Sequence, residues 1–150
     1  MNDSRTGKAH DWKNHGLRII RSGKLDTNTP QTPGMTHAEA ISHASVGAQK
    51  LWAGTVMVQS SLMPGLARII MGELETVIYI VRGRARFRWE NRLEFVDEAG
   101  PGDFVYVPPY FPHEELNVRK DQPVGSNRAK WSRSHRRQFG IFRPRGNSRC

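Results

Sequence analysis

Short segments rich in β-branched and aromatic residues occupy the middle of the chain. Between residues 85 and 90 the pattern alternates strictly, because Ala85, Phe87 and Trp89 fall on one face of an extended chain and charged residues fall on the other. This alternation is typical of a half-buried antiparallel strand. Four further segments of similar composition, divided by turn sequences, are 51–59, 74–83, 92–100 and 103–110. Five short strands with no room for crossover helices predict an all-β sandwich or barrel.

The chain on the N-terminal side of these segments has a different composition. Residues 1–34 are polar and interrupted by Gly and Pro, and the apolar stretch 17–20 is expected to add an edge strand. Residues 37–49 favour one short helical turn at most, because their apolar spacing is weak. We therefore predict an extended N-terminal arm over 1–45 and a β-barrel over 46–118.

The net charge of +9 belongs to the end of the chain. Residues 1–118 carry 13 Lys and Arg against 13 Asp and Glu, whereas 119–150 carry ten basic residues and one acid, Asp121. This last segment has few aliphatic residues and no hydrophobic period, which predicts a disordered, irregular basic tail over 119–150. It offers no candidate for the strand that should close a small barrel.

Length and composition narrow the class of protein. The 150 residues suit a single domain, and the one cysteine, Cys150, has no partner for an internal disulfide. No apolar run approaches the roughly 20 residues that span a bilayer, and the first residues lack the apolar segment of a secretory signal. We expect a cytoplasmic protein without a membrane partner.

Residues 102–117 carry a spaced motif that runs from Gly102 through Pro108 and His113 to Asn117. It resembles the second conserved motif of the cupin superfamily, with Tyr110 in place of the middle glycine. The resemblance covers about 17–123. It implies a cupin-type, jelly-roll-like antiparallel β-barrel, a homodimer, an unidentified small-molecule ligand and a divalent metal (Fe, Mn, Zn or Ni) that is bound in part at the position of His113. Taken alone, His113 is better explained as a histidine packed in a loop against Tyr110 and Phe111, and it is the spacing of the motif that favours a ligand position instead.

The first cupin motif is incomplete. Its closing glycine matches Gly83, but Thr76 stands where the motif has glutamate, and 68–71 replaces its histidines. Glu75 lies nearby, out of register. The resemblance therefore leaves His113 and Glu75 as residual metal ligands, which are fewer than the three protein groups of a catalytic site. We predict weak or absent metal binding in this chain, and we identify no catalytic residue.

The gaps in the pattern suggest shifted reading frames. One permitted codon set for Arg68–Met71, read two bases later, encodes three successive histidines. A similar shift within 125–139 encodes an apolar strand with a hairpin turn. Both windows lie where the cupin pattern fails, so we hypothesise that the coding sequence carries frameshifts near 59–71 and after about 123.

Three functions remain open at this point. The first is a metal-dependent small-molecule cupin, binding or converting its ligand, whose metal chemistry is impaired. The second is a metal-free cupin that serves as a binding or structural module. The third is a nucleic-acid-adhering protein, in which the tail arginines contact phosphates and Trp131 stacks on bases; here we expect weak adhesion without sequence specificity.

The alternating arginines at 82, 84, 86 and 88 fit either an anion-binding stripe or, as we favour, a solvated outer strand face.

Overall fold

The computed structural model describes residues 16–59 and 68–132. Within them the chain forms one short helix, α1 (His43–Val46), a 3-10 turn at Ser22–Lys24 and nine strands. The strands are β1 (Met35–Ile41), β2 (Leu51–Val58), β3 (Arg68–Ile69), β4 (Glu75–Arg82), β5 (Ala85–Trp89), β6 (Phe95–Ala99), β7 (Phe104–Val107), β8 (His113–Asn117) and β9 (Val124–Trp131).

The strands form two antiparallel sheets. The larger sheet has the order β1-β2-β9-β4-β7, and the smaller has the order β3-β8-β5-β6. Side chains from the inner faces of both sheets meet in one core, which comprises Met35, Val56, Val58, Ile69, Ile78, Ile80, Ala85, Phe87, Ala99, Val107 and Val124. The predicted all-β antiparallel fold is confirmed, and the crossovers between non-consecutive neighbours are those of a jelly roll.

The five segments predicted from the hydrophobic pattern all contain strands, namely β2, β4, β5, β6 and β7. The alternation in β5 is confirmed, since Ala85 and Phe87 are buried and Arg86 is exposed. The single helical turn is confirmed as α1, which the Ser42 side chain caps. The edge strand expected at 17–20 is wrong: the segment pairs with no strand, and Leu17 and Ile19 are exposed.

The largest correction concerns the segment after residue 119. Strand β9 lies in the middle of the larger sheet, hydrogen-bonded to β2 on one side and β4 on the other, so the prediction of disorder is wrong for Val124–Trp131. The prediction failed because Ser126, Arg128 and Lys130 point into the barrel and are buried, which reverses the usual polarity of an alternating strand. Residues 133–150 of the predicted tail lie outside the described residues.

The sheets also extend beyond the predicted 46–118 at the N-terminal end, since β1 forms their first strand. The closing strand forms from the residues as they stand, so its absence no longer supports a shifted frame after residue 123. The frameshift hypothesis for 59–71 stays a prediction about the coding DNA, and 60–67 lie outside the described residues.

Two turns of the cupin-like motifs require a left-handed backbone. Gly83 ends β4 at φ +79°, and a Cβ atom there would lie 2.9 Å from the Pro123 carbonyl oxygen, so the position excludes a side chain. Tyr110 adopts φ +57° at the position where the second motif has glycine. An L-residue with a bulky side chain is strained in this region.

None of the helical segments in the described part of the chain is long and apolar enough to cross a membrane.

Candidate functional site

A cleft opens between β6 and β7, the edge strands at which the two sheets separate. Its volume is about 420 Å³, within the roughly 300–1,000 Å³ of small-molecule pockets. The wall is mainly aromatic and aliphatic, and the residues that line it include Phe87, Trp89, Ala99, Val105, Val107 and Phe111. His113 also lines the cleft, and Asp97 and Asp103 add carboxylates to it. The ring of Trp89 stacks on Phe95, with centroids 5.9 Å apart.

His113 is the first residue of strand β8. Its cross-strand neighbours are Ile69 on β3 and Trp89 on β5, and it is 4% exposed. Its Nδ1 atom lies 3.2 Å from the Phe111 carbonyl oxygen, and its Nε2 atom lies 3.2 Å from Oε1 of Glu115. Both ring nitrogens therefore face oxygen acceptors, which fixes the imidazole plane at the inner end of the cleft.

Glu115 connects His113 to the opposite sheet. It follows two residues later on β8, so both side chains point into the barrel. Arg128 of β9 donates from Nη1 and Nη2 to the two Glu115 carboxylate oxygens, at 2.9 and 2.5 Å. Burial alone would raise the pKa of Glu115, but the charge of Arg128 and the hydrogen bond from His113 outweigh it and hold this pKa well below its usual range.

Two further basic side chains lie inside the barrel. His37 of β1 and Lys130 of β9 are each 6% exposed. Burial, then the charges of Lys130 and Arg128, lower the pKa of His37 to about 4. Burial, then the charge of Arg128, lowers the pKa of Lys130 to about 8. The Lys130 ammonium lies 4.6 Å from the centroid of the Trp52 ring, and the Trp52 Nε1–H donates to Glu39 at 2.7 Å.

The residues around His113 do not fit a metal centre. Ile69 is its neighbour on β3, and both His113 nitrogens already face oxygen atoms. Thr76, at the position of the first motif's glutamate, is buried, and its hydroxyl finds no hydrogen-bond partner among the described residues. Within 16–59 and 68–132, no group of three or more His, Cys, Asp or Glu side chains is arranged to hold a metal ion.

The structure does not bring the two predicted residual ligands together. Thr76 faces the barrel interior, so the preceding residue, Glu75, faces outward. Its carboxylate accepts a hydrogen bond from the Tyr106 hydroxyl at 2.9 Å. His113 points inward from the other sheet.

Three of the four arginines of the predicted outer face are paired with carboxylates, and the fourth, Arg82, lies on β4 of the other sheet. Arg84 and Arg86 both contact Glu98, at 2.6 and 2.8 Å, and Arg88 contacts Glu114 at 3.0 Å. The hydrogen bond to Glu98 raises the pKa of Arg84 and, with that from Arg86, lowers the pKa of Glu98. This pairing supports the solvated outer face over an anion-binding stripe.

Sequence reasoning missed the buried partners of His113. Glu115 could have been found, because side chains two residues apart on a strand point to the same face and Glu115 lies two residues from His113. Arg128, Lys130 and His37 gave no comparable signal, since basic residues on a strand are normally assigned to the solvent face. Their burial follows from the central position of β9 and from the Glu115 carboxylate opposite.

The sequence matches no protein-family model and no curated protein. The structure is similar to that of the polyketide cyclase RemF from Streptomyces resistomycificus, with a TM-score of 0.62 and 19% identity over 77% of this chain and 79% of that chain. It is also similar to Fe(II) HppE, with a TM-score of 0.61 and 10% identity over 77% of this chain and 61% of that chain. A third similar structure is the Cnp3 cupin domain from Schizosaccharomyces pombe, with a TM-score of 0.54 and 11% identity over 70% and 69% of the two chains. The chain thus spans less than two thirds of HppE, and identities this low show the fold alone.

Proposed function

Because this chain has the cupin fold, we propose that it binds a small, largely apolar molecule in the cleft between β6 and β7, without a tightly bound metal. The observation that carries the proposal is the composition of the cleft wall: aromatic and aliphatic side chains make up most of the lining residues, His113 adds one buried imidazole, and Asp97, Glu98 and Asp103 add carboxylates. Such a wall stabilises an apolar ligand by about 25 cal/mol for each Å² that it removes from water.

His113 supplies a polar contact at the inner end of the cleft. Its ring is held between Phe111 and Glu115, and Arg128 in turn holds Glu115. With Nε2–H donating to Glu115, the Nδ1 atom of the neutral ring is an acceptor, so a ligand O–H or N–H that displaces the Phe111 carbonyl would donate to an already oriented nitrogen. Preorganisation of this kind lowers the entropy cost of binding.

Fluorescence and chemical-shift changes test the ligand proposal. Cyclohexanol is followed by the fluorescence of Trp89, which lines the cleft, and indole, which itself fluoresces like tryptophan, is followed by chemical-shift changes. We expect saturable binding that Ala99→Leu, which narrows the cleft, weakens at least tenfold. Ala38→Leu, on a strand remote from the cleft, should leave binding unchanged. Equal binding by both variants would contradict the assignment of this cleft.

Elemental analysis tests the metal part of the proposal. The purified protein, exposed to Fe(II), Mn(II), Zn(II) or Ni(II) and dialysed, should retain far less than one metal ion per chain. Tight stoichiometric metal that is lost in His113→Ala would overturn the proposal of a metal-free cleft. It would leave apolar ligand binding to be judged by the probes.

We also propose that two copies of this chain pair through the outer face of the larger sheet. Large apolar side chains are exposed there, namely Val77 (42%), Val81 (49%), Phe104 (72%), Tyr106 (58%) and Trp131 (48%). On β4 this face carries Glu75 at one end, beside Trp131, and Arg82 at the other, beside Gly125. A two-fold axis that sets two β4 strands antiparallel would place Glu75 of each copy near Arg82 of the other.

Sedimentation velocity tests this pairing. Val77→Lys should convert the dimer to monomer, whereas Val96→Lys, on the outer face of the other sheet, should not. Glu75→Arg alone should weaken the dimer, and adding Arg82→Glu should restore it. A monomeric unaltered protein at tens of micromolar would refute the proposal.

Two basic residues of the segment 119–150 are not available to bind nucleic acid. Arg128 and Lys130 belong to the charged segment 119–150, but both are buried inside the barrel and cannot reach a phosphate backbone. The remaining basic residues of 133–150 lie outside the described residues. Salt-sensitive DNA binding that is lost on deleting 133–150 would assign the adhesion to this segment, as the alternative requires.

A further inference from the structure

Within 16–59 and 68–132, one positive charge inside the barrel has no carboxylate in direct contact. Arg128 is neutralised by Glu115, at 2.5 Å. Lys130, two residues further along the same inward face, forms neither a hydrogen bond nor an ion pair with any described residue. The Lys130 ammonium instead lies over the face of the Trp52 ring, 4.6 Å from the ring centroid. A buried ammonium normally requires a negative partner, because burial removes its hydration.

A second polar group on the same wall is also unsatisfied. The Nε2 atom of His37 is buried and has no hydrogen-bond partner among the described residues. Buried polar atoms are satisfied in the great majority of proteins, so an orphan beside an unpaired cation points to a missing acceptor. Both residues lie on strands next to β2: His37 pairs with Val56 of that strand, and Lys130 pairs with Trp52, four residues earlier.

The topology brings these groups to one wall. Strands β1 and β9 flank β2, and His37, Trp52 and Lys130 all project from their inner faces. Neither His37 nor Lys130 lines the cleft between β6 and β7. The wall therefore belongs to a different part of the barrel from the proposed ligand cleft.

We propose that this wall, formed by β1, β2 and β9, binds one small carboxylate anion between the Lys130 ammonium and the Nε2 atom of His37. Glu39, two residues from His37 on β1, is already a carboxylate at this wall, but its oxygens accept from Trp52 and Ser42. A ligand carboxylate would give the Lys130 ammonium a partner in direct contact. The two oxygens of a carboxylate can accept from both donors at once, and the Trp52 ring and Val56 offer apolar contact to a short carbon chain. Trp52 is itself held in place by its hydrogen bond to Glu39.

Calorimetric titration with sodium formate and sodium acetate tests the proposal, with sodium chloride at equal ionic strength as the comparison. The full chain is used in a zwitterionic buffer at neutral pH. We expect one saturable formate or acetate site per chain. Lys130→Met and His37→Phe should each weaken binding at least tenfold, and Lys120→Met, which removes an exposed lysine, should leave it unchanged.

Should either variant fail to fold, the unaltered protein still decides the matter. Formate should then shift the ¹⁵N resonance of His37 Nε2 along a saturable curve, with little change at His43, which is exposed. Chloride binding as tight as formate binding, equal formate affinity in folded Lys130→Met, or an unmoved His37 resonance would each overturn the assignment. The cleft probes report separately on the proposed function.

Discussion

Arg128 and Glu115 form a bidentate ion pair across the barrel interior. Two hydrogen bonds join Arg128 on β9 of one sheet to Glu115 on β8 of the other. Their side chains are 6% and 2% exposed. The pair links the central strand of the larger sheet to His113 at the cleft, because Glu115 Oε1 also lies 3.2 Å from His113 Nε2. The stability of the barrel and the orientation of the cleft histidine are thus connected through one carboxylate.

Removing one member of this pair should be strongly destabilising. Arg128→Met leaves a buried carboxylate without its main partner, and such losses cost about 3–5 kcal/mol. Urea unfolding should show this loss for Arg128→Met and for Glu115→Leu. The double variant should recover a large part of it, since neither charge remains buried alone. Two losses that simply add in the double variant would show that the residues do not act as a pair.

The buried His37 should make the protein less stable in acid. Its pKa is lowered to about 4 in the folded chain, against 6.5 when exposed. The unfolded chain therefore binds a proton that the folded chain excludes between these values, and stability falls as pH drops through this window. The full effect is on the order of 3 kcal/mol.

Urea midpoints measured between pH 6.5 and 4.5 check the effect of His37, above the range in which Glu115 contributes. His37→Phe should remove the slope over this range. Replacement of the exposed His43 by Phe is the matched control and should preserve it. A slope that survives in His37→Phe would assign the acid sensitivity to other groups.

The buried Lys130 should make the protein more stable as the pH rises above neutrality. Its pKa is lowered to about 8, against 10.5 when exposed. Between these values the unfolded chain retains a proton that the folded chain has lost, so stability rises as pH increases from about 8 to 10.5. Lys130→Met should be flat over this range and more stable than the unaltered protein near pH 7, by about 2–3 kcal/mol. Lys120→Met is the control, and the buffer must contain no carboxylate.

Replacing Tyr110 by glycine should stabilise the turn before β8. Tyr110 adopts φ +57° while its side chain is 67% exposed, so it is strained without compensating burial. Tyr110→Gly should raise the free energy of unfolding by about 1 kcal/mol, the cost of the left-handed region for a residue with a Cβ atom. Tyr110→Ala keeps that strain and should show no such gain. Chemical denaturation of the three proteins distinguishes these outcomes.

The sequence by itself determined the fold class and the register of the cleft wall. Alternation over Ala85, Phe87 and Trp89 fixed which face of β5 is buried, because side chains on a strand point to opposite faces in turn. The spacing from Gly102 to Asn117 indicated a motif resemblance with His113 at the ligand position, and the structure shows that His113 begins strand β8. Alternation left open whether Thr76 or Glu75 points inward, and the structure shows that Thr76 does.

Only the tertiary structure decided what lies inside the barrel beside the core. Arg128 and Lys130 are basic residues on a polar segment, and hydropathy assigns such a segment to solvent. They are buried because β2 and β4 leave a central place in the sheet that β9 fills, and because Glu115 faces Arg128 from the other sheet. Long-range pairing of this kind has no local signal, since the free energy that buries a charge resides in its partner and not in its neighbours along the chain.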